Sequence, residues 1–422
     1  MKLKHTLFST TLVVSAVSAA AFSGGFQLNE HSSRGVGMAG AFVARPFDPS
    51  AVFINPGGLP LIKDVRLYGG GVLILPTSSF VGRYPENPVP HTNMEKNAFF
   101  PPHVYAAYGN GTWGFGIGVF TMFGLGTEWP DKWAGRVLSG TVDLKTFFIN
   151  PTVAYKPAEW ISIGAGVSYV PSVVLISRRI KTGFTDPQGQ PVEPKITLEG
   201  TGSGFGWNAG ILLMPSESFS IGLAYRSSTK LTFDGKASFS DVPQSFSTLF
   251  TNGGGKSSFT GPATFQIGGA YRVTELLTLE LDYQWTGWST FDSLKVSLEK
   301  PINGISEIAS PRIYQDAFMI RLGAEYVYDE SVTIRAGYIF DRNPVPDGYV
   351  EPSLPDANRH DLTCGIGWQA TPTLRVDAAY MLVLFERRTE SESIPEFSFN
   401  GTYENRAHLF SISAEVSLGE VF

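Results

Sequence analysis

The sequence contains a single cysteine, Cys364, which excludes an internal disulfide. It has no cluster of lysine and arginine and its formal net charge is −6, which argues against nucleic acid as a partner. After the N-terminus, no apolar run reaches the roughly 18 residues that a transmembrane helix needs. The six histidines show no spacing typical of a metal site. We therefore expect no cofactor, no metal and no helical membrane anchor.

The first residues predict export. A basic start, Met1–His5, precedes an apolar run from Leu7 to Ala21, and small residues at Ala19, Ala21 and Ser23 offer cleavage sites. This order is typical of a secretory signal peptide. We predict that residues 1–23 are the signal peptide.

Most of the remaining chain alternates apolar and polar residues with a period of two, which predicts β-strands with one apolar face. Leu277, Leu279 and Leu281, for example, alternate with Thr278 and Glu280. We count about fourteen such strands. A soluble β-sandwich gives the same alternation, so periodicity alone leaves both architectures open.

The lengths of the connections favour a barrel. Short turns such as Asn110-Gly111 alternate with long segments near 84–98, 125–141, 179–200, 236–258, 297–313, 342–356 and 387–404. Aromatic residues also gather near the strand ends, either through ordinary β-propensity or as interfacial girdles. Short turns on one side and long loops on the other are typical of outer-membrane barrels. We predict an all-β, transmembrane antiparallel β-barrel of about 14 strands over residues 63–422, in the outer membrane of a Gram-negative cell.

The segment before the first clean strand, residues 24–62, is rich in glycine and small residues and alternates poorly. By itself it could neither bury a core nor form a sheet. We predict that the barrel encloses it and that it acts as an N-terminal hatch plugging the lumen.

Several motifs resemble the FadL/TodX family of outer-membrane hydrocarbon transporters. They are spread in order along the chain: Gly25-Phe26-Gln27-Leu28-Asn29-Glu30, Asn55-Pro56-Gly57, residues 204–212, Ala224-Tyr225-Arg226-Ser227, Ile320-Arg321-Leu322-Gly323 and residues 340–346. The resemblance implies passive transport of long-chain fatty acids or other hydrophobic molecules. The ligand would be captured among external loops, pass to a site beside the hatch, and leave laterally through a kink in the third strand.

The resemblance also implies ligand-binding residues. Phe26 and Leu28 match the hatch N-terminus, which would enter the inner site or simply anchor the hatch. Arg178 falls where the family has a basic head-group contact, although a solvated arginine or one that binds lipopolysaccharide phosphate fits the sequence equally well. Direct register puts Ser310 at the family's second basic position, and Arg312 is the nearest cation. Without a second cation, the site would favour an uncharged aromatic or alkane.

Two further motifs concern the wall and the hatch. Glycine inside a strand commonly marks a bend, so Phe123, Gly124 and Gly126 are candidates for the kink, although they could also mark a strand that ends in a loop. The turn Asn55-Pro56-Gly57 combines a fixed proline dihedral with a permissive glycine. We interpret this turn as a lock that holds the hatch inside the barrel.

Other functions remain open from the sequence. The ligand could be an aromatic or aliphatic hydrocarbon, an unplugged barrel would be a water-filled porin, and the long loops could belong to a surface adhesin. Gly202-Ser203-Gly204 is isolated, so we expect no enzyme, with an outer-membrane lipase as the formal alternative. The expected partners are the hydrophobic ligand, outer-membrane lipid and lipopolysaccharide, and we expect a monomer.

Overall fold

A computed structural model describes residues 24–302 and 304–419. The predicted signal peptide, 1–23, and the C-terminal Phe422 lie outside these residues. Within the described ranges, no helix has the length and apolar character needed to cross a membrane. The helices are α1 (Ser33–Gly37), α2 (Ala51–Ile54) and three 3-10 helices (Pro56–Leu61, Gln244–Phe246 and Trp288–Thr290).

Strands make up most of the described chain. In order they are β1 (Asp64–Gly82), β2 (Thr92–Asn93), β3 (Pro102–Gly109), β4 (Trp113–Phe120), β5 (Gly124–Glu128), β6 (Thr141–Thr146), β7 (Phe148–Ala158), β8 (Ile161–Tyr169), β9 (Ser172–Arg179), β10 (Lys195–Ser203), β11 (Phe205–Ser216), β12 (Phe219–Arg226), β13 (Thr229–Ser240), β14 (Gly253–Gly261), β15 (Thr264–Arg272), β16 (Leu277–Thr286), β17 (Ser293–Ile302), β18 (Ile305–Pro311), β19 (Ala317–Val327), β20 (Val332–Asp341), β21 (Arg359–Thr371), β22 (Leu374–Phe385), β23 (Arg388–Glu390) and β24 (Gly401–Ser417).

Fourteen of these strands close into an antiparallel barrel. Their order around the wall is β1, β3, β4, β7, β8, β11, β12, β15, β16, β19, β20, β21, β22 and β24. The first and last strands pair from Arg66 opposite Ser417 to Gly82 opposite Gly401, so no edge of this ring is left open. The predicted fold class is therefore confirmed.

The outer face of the barrel is apolar. On β4, the side chains of Trp113, Phe115 and Ile117 are exposed, while the intervening glycines Gly114 and Gly116 face inward. Exposed apolar side chains recur on other strands of the barrel, for example at Ile163, Leu281 and Ile320. An apolar exterior with a polar interior is the arrangement of an outer-membrane barrel.

The long connections differ from the sequence expectation. The segments near 125–141, 179–200, 236–258 and 297–313, predicted as loops, contain strand residues of a second, eight-stranded sheet in the order β18, β17, β14, β13, β10, β9, β6 and β5. Because each of these strands continues a barrel strand beyond a short break, the hairpins extend past the barrel rim. The upper sheet is open, with β5 and β18 at its edges.

The N-terminal segment, residues 24–62, occupies the barrel lumen. It hydrogen-bonds to side chains around the whole circumference: Tyr68 on β1, Asn208 on β11, Arg226 on β12, Asp282 on β16, Glu325 on β19 and Ser411 on β24. Four of these partners, Tyr68, Asn208, Arg226 and Asp282, satisfy backbone groups that irregular structure would otherwise leave unpaired in a buried place. Glu325 and Ser411 instead bind the side chains of Arg45 and Ser33.

A group of buried charges ties this segment to one side of the barrel. The Glu325 carboxylate accepts hydrogen bonds from Arg34 at 3.3 Å and Arg45 at 2.9 Å, both in the segment. It also accepts one from Arg335 on β20 at 2.8 Å. Three guanidinium groups thus share one carboxylate, and two of them belong to the enclosed segment.

Candidate functional site

A cavity of about 370 Å³ lies above the N-terminal segment, enclosed by the upper sheet and by the loops near 342–358 and 391–400. Its wall is mainly apolar. Among the side chains that line it are Phe26, Leu144, Ile176, Phe233, Phe259 and Phe291. A concave apolar space with few polar groups is the usual form of a site for a hydrophobic small molecule.

Charged side chains also line this cavity: the cations are Arg178, Lys236, Lys256 and Arg312, and the carboxylates are Glu199, Glu351 and Glu396. Arg178, near the end of β9, donates from Nη1 to the carbonyl oxygen of Val137 at 3.1 Å. Arg312, which follows β18, lies with Nη2 3.4 Å from the Glu351 carboxylate and donates from Nη1 to Ser310 Oγ at 3.0 Å. The two cations that the sequence identified separately therefore share one wall.

The four cations that line the cavity outnumber its three carboxylates by one. Burial lowers the pKa of the Arg178 guanidinium, and the neighbouring Glu351 carboxylate opposes that shift. Arg312 already pairs with Glu351, whereas Arg178 has no ion pair among the described residues and donates to a backbone carbonyl. Arg178 can therefore bind a further anion, since guanidinium groups bind carboxylates through charge-assisted hydrogen bonds.

Phe26 closes the cavity towards the lumen. Its ring lies 4.9 Å from the rings of Phe259 and Trp288, 5.7 Å from that of Phe291 and 6.4 Å from that of Phe123. Leu28, by contrast, does not line the cavity and packs in a separate apolar cluster that includes Ile74 and Phe99. The side chains of Phe26 and Leu28 lie in different clusters because this part of the chain is not a regular strand. It forms only a single β-bridge, at Gln27.

The barrel wall is interrupted next to Phe26. Strand β4 ends at Phe120 and β5 begins at Gly124, so Phe123 lies in the break and Gly124 and Gly126 begin the upper strand. Gly124 donates its N–H to the carbonyl of Phe26 at 3.1 Å, and Leu28 donates its N–H to the carbonyl of Met122 at 2.8 Å. The N-terminal segment therefore pairs with the edge of the wall where it is broken.

The turn Asn55-Pro56-Gly57 lies against β11. Pro56 is the first residue of a 3-10 helix, and the Asn55 side chain accepts a hydrogen bond from the Gly57 N–H at 3.0 Å. Asn55 also donates from Nδ2 to the carbonyl oxygen of Ile211 at 3.0 Å. A methyl group added at Gly210 would lie 2.1 Å from Asn55 Oδ1, so the glycine makes room for this contact.

The sequence pattern does not reveal every residue of the cavity. Glu351 lies in a distant loop, and nothing near it in the sequence connects it to Arg312. Tyr314, which also lines the cavity, follows Arg312 by two residues, but the chain between them is not extended because Ile313 has a φ of 48°. Among the described residues, no group of His, Cys, Asp and Glu is arranged to hold a metal ion.

Comparison with known proteins identifies the family. The family model described as "Outer membrane protein transport protein (OMPP1/FadL/TodX)" matches residues 14–418. A long-chain fatty acid transport protein of Escherichia coli strain K12 is 30% identical, and the match covers 96% of this chain and 98% of that protein. These relatives are transport proteins rather than enzymes.

Solved structures show the same fold. A Pseudomonas aeruginosa FadL homologue superposes with a TM-score of 0.83 at 19% identity, over 93% of this chain and 99% of that one. The Pseudomonas putida toluene transporter TodX superposes with a TM-score of 0.73 at 16% identity, over 94% and 100% of the two chains. The barrel is therefore of the outer-membrane type that the sequence predicted.

Proposed function

Because the chain belongs to the OMPP1/FadL/TodX family of outer-membrane transport proteins, we propose that it carries long-chain fatty acids passively across the outer membrane. The observation that carries this proposal is that Arg178 and Arg312 both line one cavity whose wall is mainly apolar. The carboxylate of a fatty acid would bind between the two guanidinium groups, and its tail would lie along the phenylalanines.

Capture would begin at the outer loops. Phe184 and Phe246 stack with ring centroids 5.2 Å apart, and Phe250 belongs to a neighbouring apolar cluster with Ile196 and Val296. Ile196 and Val296 also line the cavity, so the cluster is continuous with its wall. A hydrocarbon tail bound at these loops would reach the cavity without leaving an apolar surface.

Release would follow movement of the N-terminal segment, which acts as the hatch. Phe26 separates the cavity from the wall break at residues 121–123, and only two backbone hydrogen bonds join it and Leu28 to that break. Withdrawal of residues 26–28 would open the break, and the fatty acid would leave laterally into the membrane. The turn Asn55-Pro56-Gly57 would hold the remainder of the hatch in place. In this proposal the protein acts as a monomer, surrounded by outer-membrane lipid and lipopolysaccharide.

A second candidate is import of an uncharged aromatic or aliphatic hydrocarbon. The favouring observation is the Arg312–Glu351 pair, which neutralises one of the two cations within the cavity. The resemblance to a toluene transporter agrees with this alternative.

Ligand binding separates the two candidates. Oleate and xylene are titrated into detergent-solubilised wild-type protein, Arg178→Met and the matched control Lys236→Met. Lys236 lines the same cavity and forms no ion pair among the described residues. Fatty-acid transport predicts oleate binding that weakens about tenfold in Arg178→Met and changes little in Lys236→Met. Xylene binding that is indifferent to both changes, without oleate binding, favours the hydrocarbon importer.

Conductance tests the remaining alternative, a water-filled porin. With residues 24–62 filling the lumen, the protein is expected to carry little steady current in a planar bilayer. A large, stable conductance in the intact protein would count for the porin and against a plugged transporter.

A further inference from the structure

Arg226 is a buried arginine at the end of β12, on the inner face of the barrel. Its Nη1 donates to Asn150 Oδ1 at 3.1 Å, and its Nη2 donates to the carbonyl oxygen of Phe53 at 3.1 Å. The guanidinium carbon lies 5.2 Å from the centre of the Phe53 ring and 5.3 Å from that of Phe120. Its neighbours are therefore neutral amides and aromatic rings.

No carboxylate among the described residues lies within ion-pair distance of Arg226. Three other buried arginines have such partners: Arg335 pairs with Glu325 and Asp377, Arg359 with Asp341, and Arg312 with Glu351. Arg321 is also buried without an ion pair among the described residues, and it donates to Gln284 Oε1 at 2.8 Å. Burying a charge without its counter-charge is costly, and cation–π contacts offset only part of that cost. Arg226 is thus a buried guanidinium whose contacts are neutral amide groups and aromatic rings.

A row of aromatic rings connects the cavity with Arg226. Ring centroids are 6.4 Å apart from Phe26 to Phe123, 6.0 Å from Phe123 to Phe148, and 5.6 Å from Phe148 to Phe120. Arg226 lies over the last of these rings. The row follows the broken strand, so a hydrocarbon chain moving along it would remain in contact with apolar side chains.

The space beside Arg226 is closed. Its volume is about 10 Å³, too small for a carboxylate, and Gln27, Phe53 and Met122 line it. Gln27 Oε1 is buried there without a hydrogen-bond partner. Gln27 is also the residue that bridges to the wall break, so the movement that frees Phe26 from the cavity would also enlarge the space at Arg226.

We propose that Arg226 is a second carboxylate-binding residue, which holds the head group of an ionised fatty acid inside the barrel after residues 26–28 withdraw. The inference rests on the proposed function and extends it from one binding site to two successive ones. Transfer from Arg178 and Arg312 to Arg226 would keep the head group paired with a cation while the tail reaches the wall break.

Uptake of an acid and of a matched alcohol tests this inference. Cells without another fatty-acid importer express the full chain and are given radiolabelled oleate or oleyl alcohol, which share a tail and differ in charge. The variants are Arg226→Met, Arg226→Lys and the control Arg66→Met, which removes an interior arginine that already pairs with Glu415. Heat-modifiable electrophoretic mobility confirms that each barrel is folded.

The expected result is selective. Arg226→Met should lower the ratio of oleate to oleyl alcohol uptake about tenfold, since a charge-assisted contact is lost. Arg226→Lys should restore the ratio to within about threefold, because lysine keeps the charge but not the planar fork. Arg66→Met should leave the ratio as it is in the wild-type protein.

Two results would overturn the inference alone. The first is an unchanged uptake ratio in Arg226→Met. The second is an equal loss of oleate and oleyl alcohol uptake in both Arg226→Met and Arg226→Lys, which would mean that Arg226 only supports Phe53 structurally. A different result would overturn the proposed function and this inference together, namely wild-type oleate uptake no greater than that of cells without the chain. The two failures are therefore distinguishable in one experiment.

Discussion

Leu28 donates its backbone N–H to the carbonyl oxygen of Met122 over 2.8 Å, which joins the enclosed N-terminal segment to the break in the barrel wall. The other bond of this bridge runs from Gly124 to Phe26. Two hydrogen bonds of this kind contribute only about 1 kcal/mol each net of solvation. Breaking both bonds would therefore cost only about 2 kcal/mol.

Removing one of these donors should loosen the bridge. Leu28→Pro deletes the N–H, and Leu28→Ala is the control that removes most of the side chain but keeps the donor. We expect amide exchange in the peptide spanning residues 121–126 to rise about fivefold in Leu28→Pro relative to Leu28→Ala, because one hydrogen bond is lost. Hydrogen–deuterium exchange with mass spectrometry measures this, and equal exchange in the two variants would contradict it.

Glu325 should be among the most important interior charges for stability. Glu325→Gln leaves Arg34, Arg45 and Arg335 without their shared carboxylate, and breaking a buried ion pair costs about 3–5 kcal/mol. The urea midpoint of unfolding in detergent measures the loss.

The control is Glu159→Gln, at an exposed pair with Lys156 whose glutamate is 97% exposed. Such surface pairs contribute about 0–1 kcal/mol. If both variants shift the midpoint by the same small amount, the Glu325 cluster does not anchor the segment.

Glu351 should oppose binding of an anionic ligand. Glu351→Gln removes the carboxylate beside Arg312, so both guanidinium groups become available, and oleate should bind about tenfold more tightly. Methyl oleate, which has no charge, should bind as before.

Glu396→Gln is the matched control, since Glu396 lines the same cavity but is exposed. Calorimetric titration of the solubilised protein gives the dissociation constants. Weaker oleate binding in Glu351→Gln would mean that the glutamate mainly positions Arg312.

Gly210→Ala should displace the Asn55 turn. The added methyl group would lie 2.1 Å from Asn55 Oδ1, and overpacking of this kind costs about 1–3 kcal/mol. Gly69→Ala is the control, because nothing lies within 4 Å of a methyl group at Gly69. Thermal loss of heat-modifiable mobility should occur at a lower temperature only in Gly210→Ala, and identical temperatures for both variants would contradict a tight turn.

Local pattern was sufficient for the barrel itself. Each strand carries its own period of two, and the alternation of short and long connections orders antiparallel neighbours, so about fourteen strands and an apolar exterior could be predicted. The glycine faces of β4 and β11 likewise indicate close packing against the enclosed segment. At Gly210, for example, an added methyl group would lie 2.1 Å from Asn55 Oδ1. The upper sheet was not predicted, because turn residues bound its hairpins and the sequence pattern there is typical of loops.

The cavity depended on tertiary structure. Arg178, Arg312 and Glu351 come from three separate connections, and only the pairing of the upper strands and the packing of the loops bring them to one wall. For the same reason, the sequence shows that Arg226 belongs to a motif, but it does not show that Arg226 lacks a neighbouring carboxylate among the described residues. Period and turn chemistry are local properties of the chain, whereas charge compensation depends on distances between residues far apart in sequence, which only the closed barrel determines.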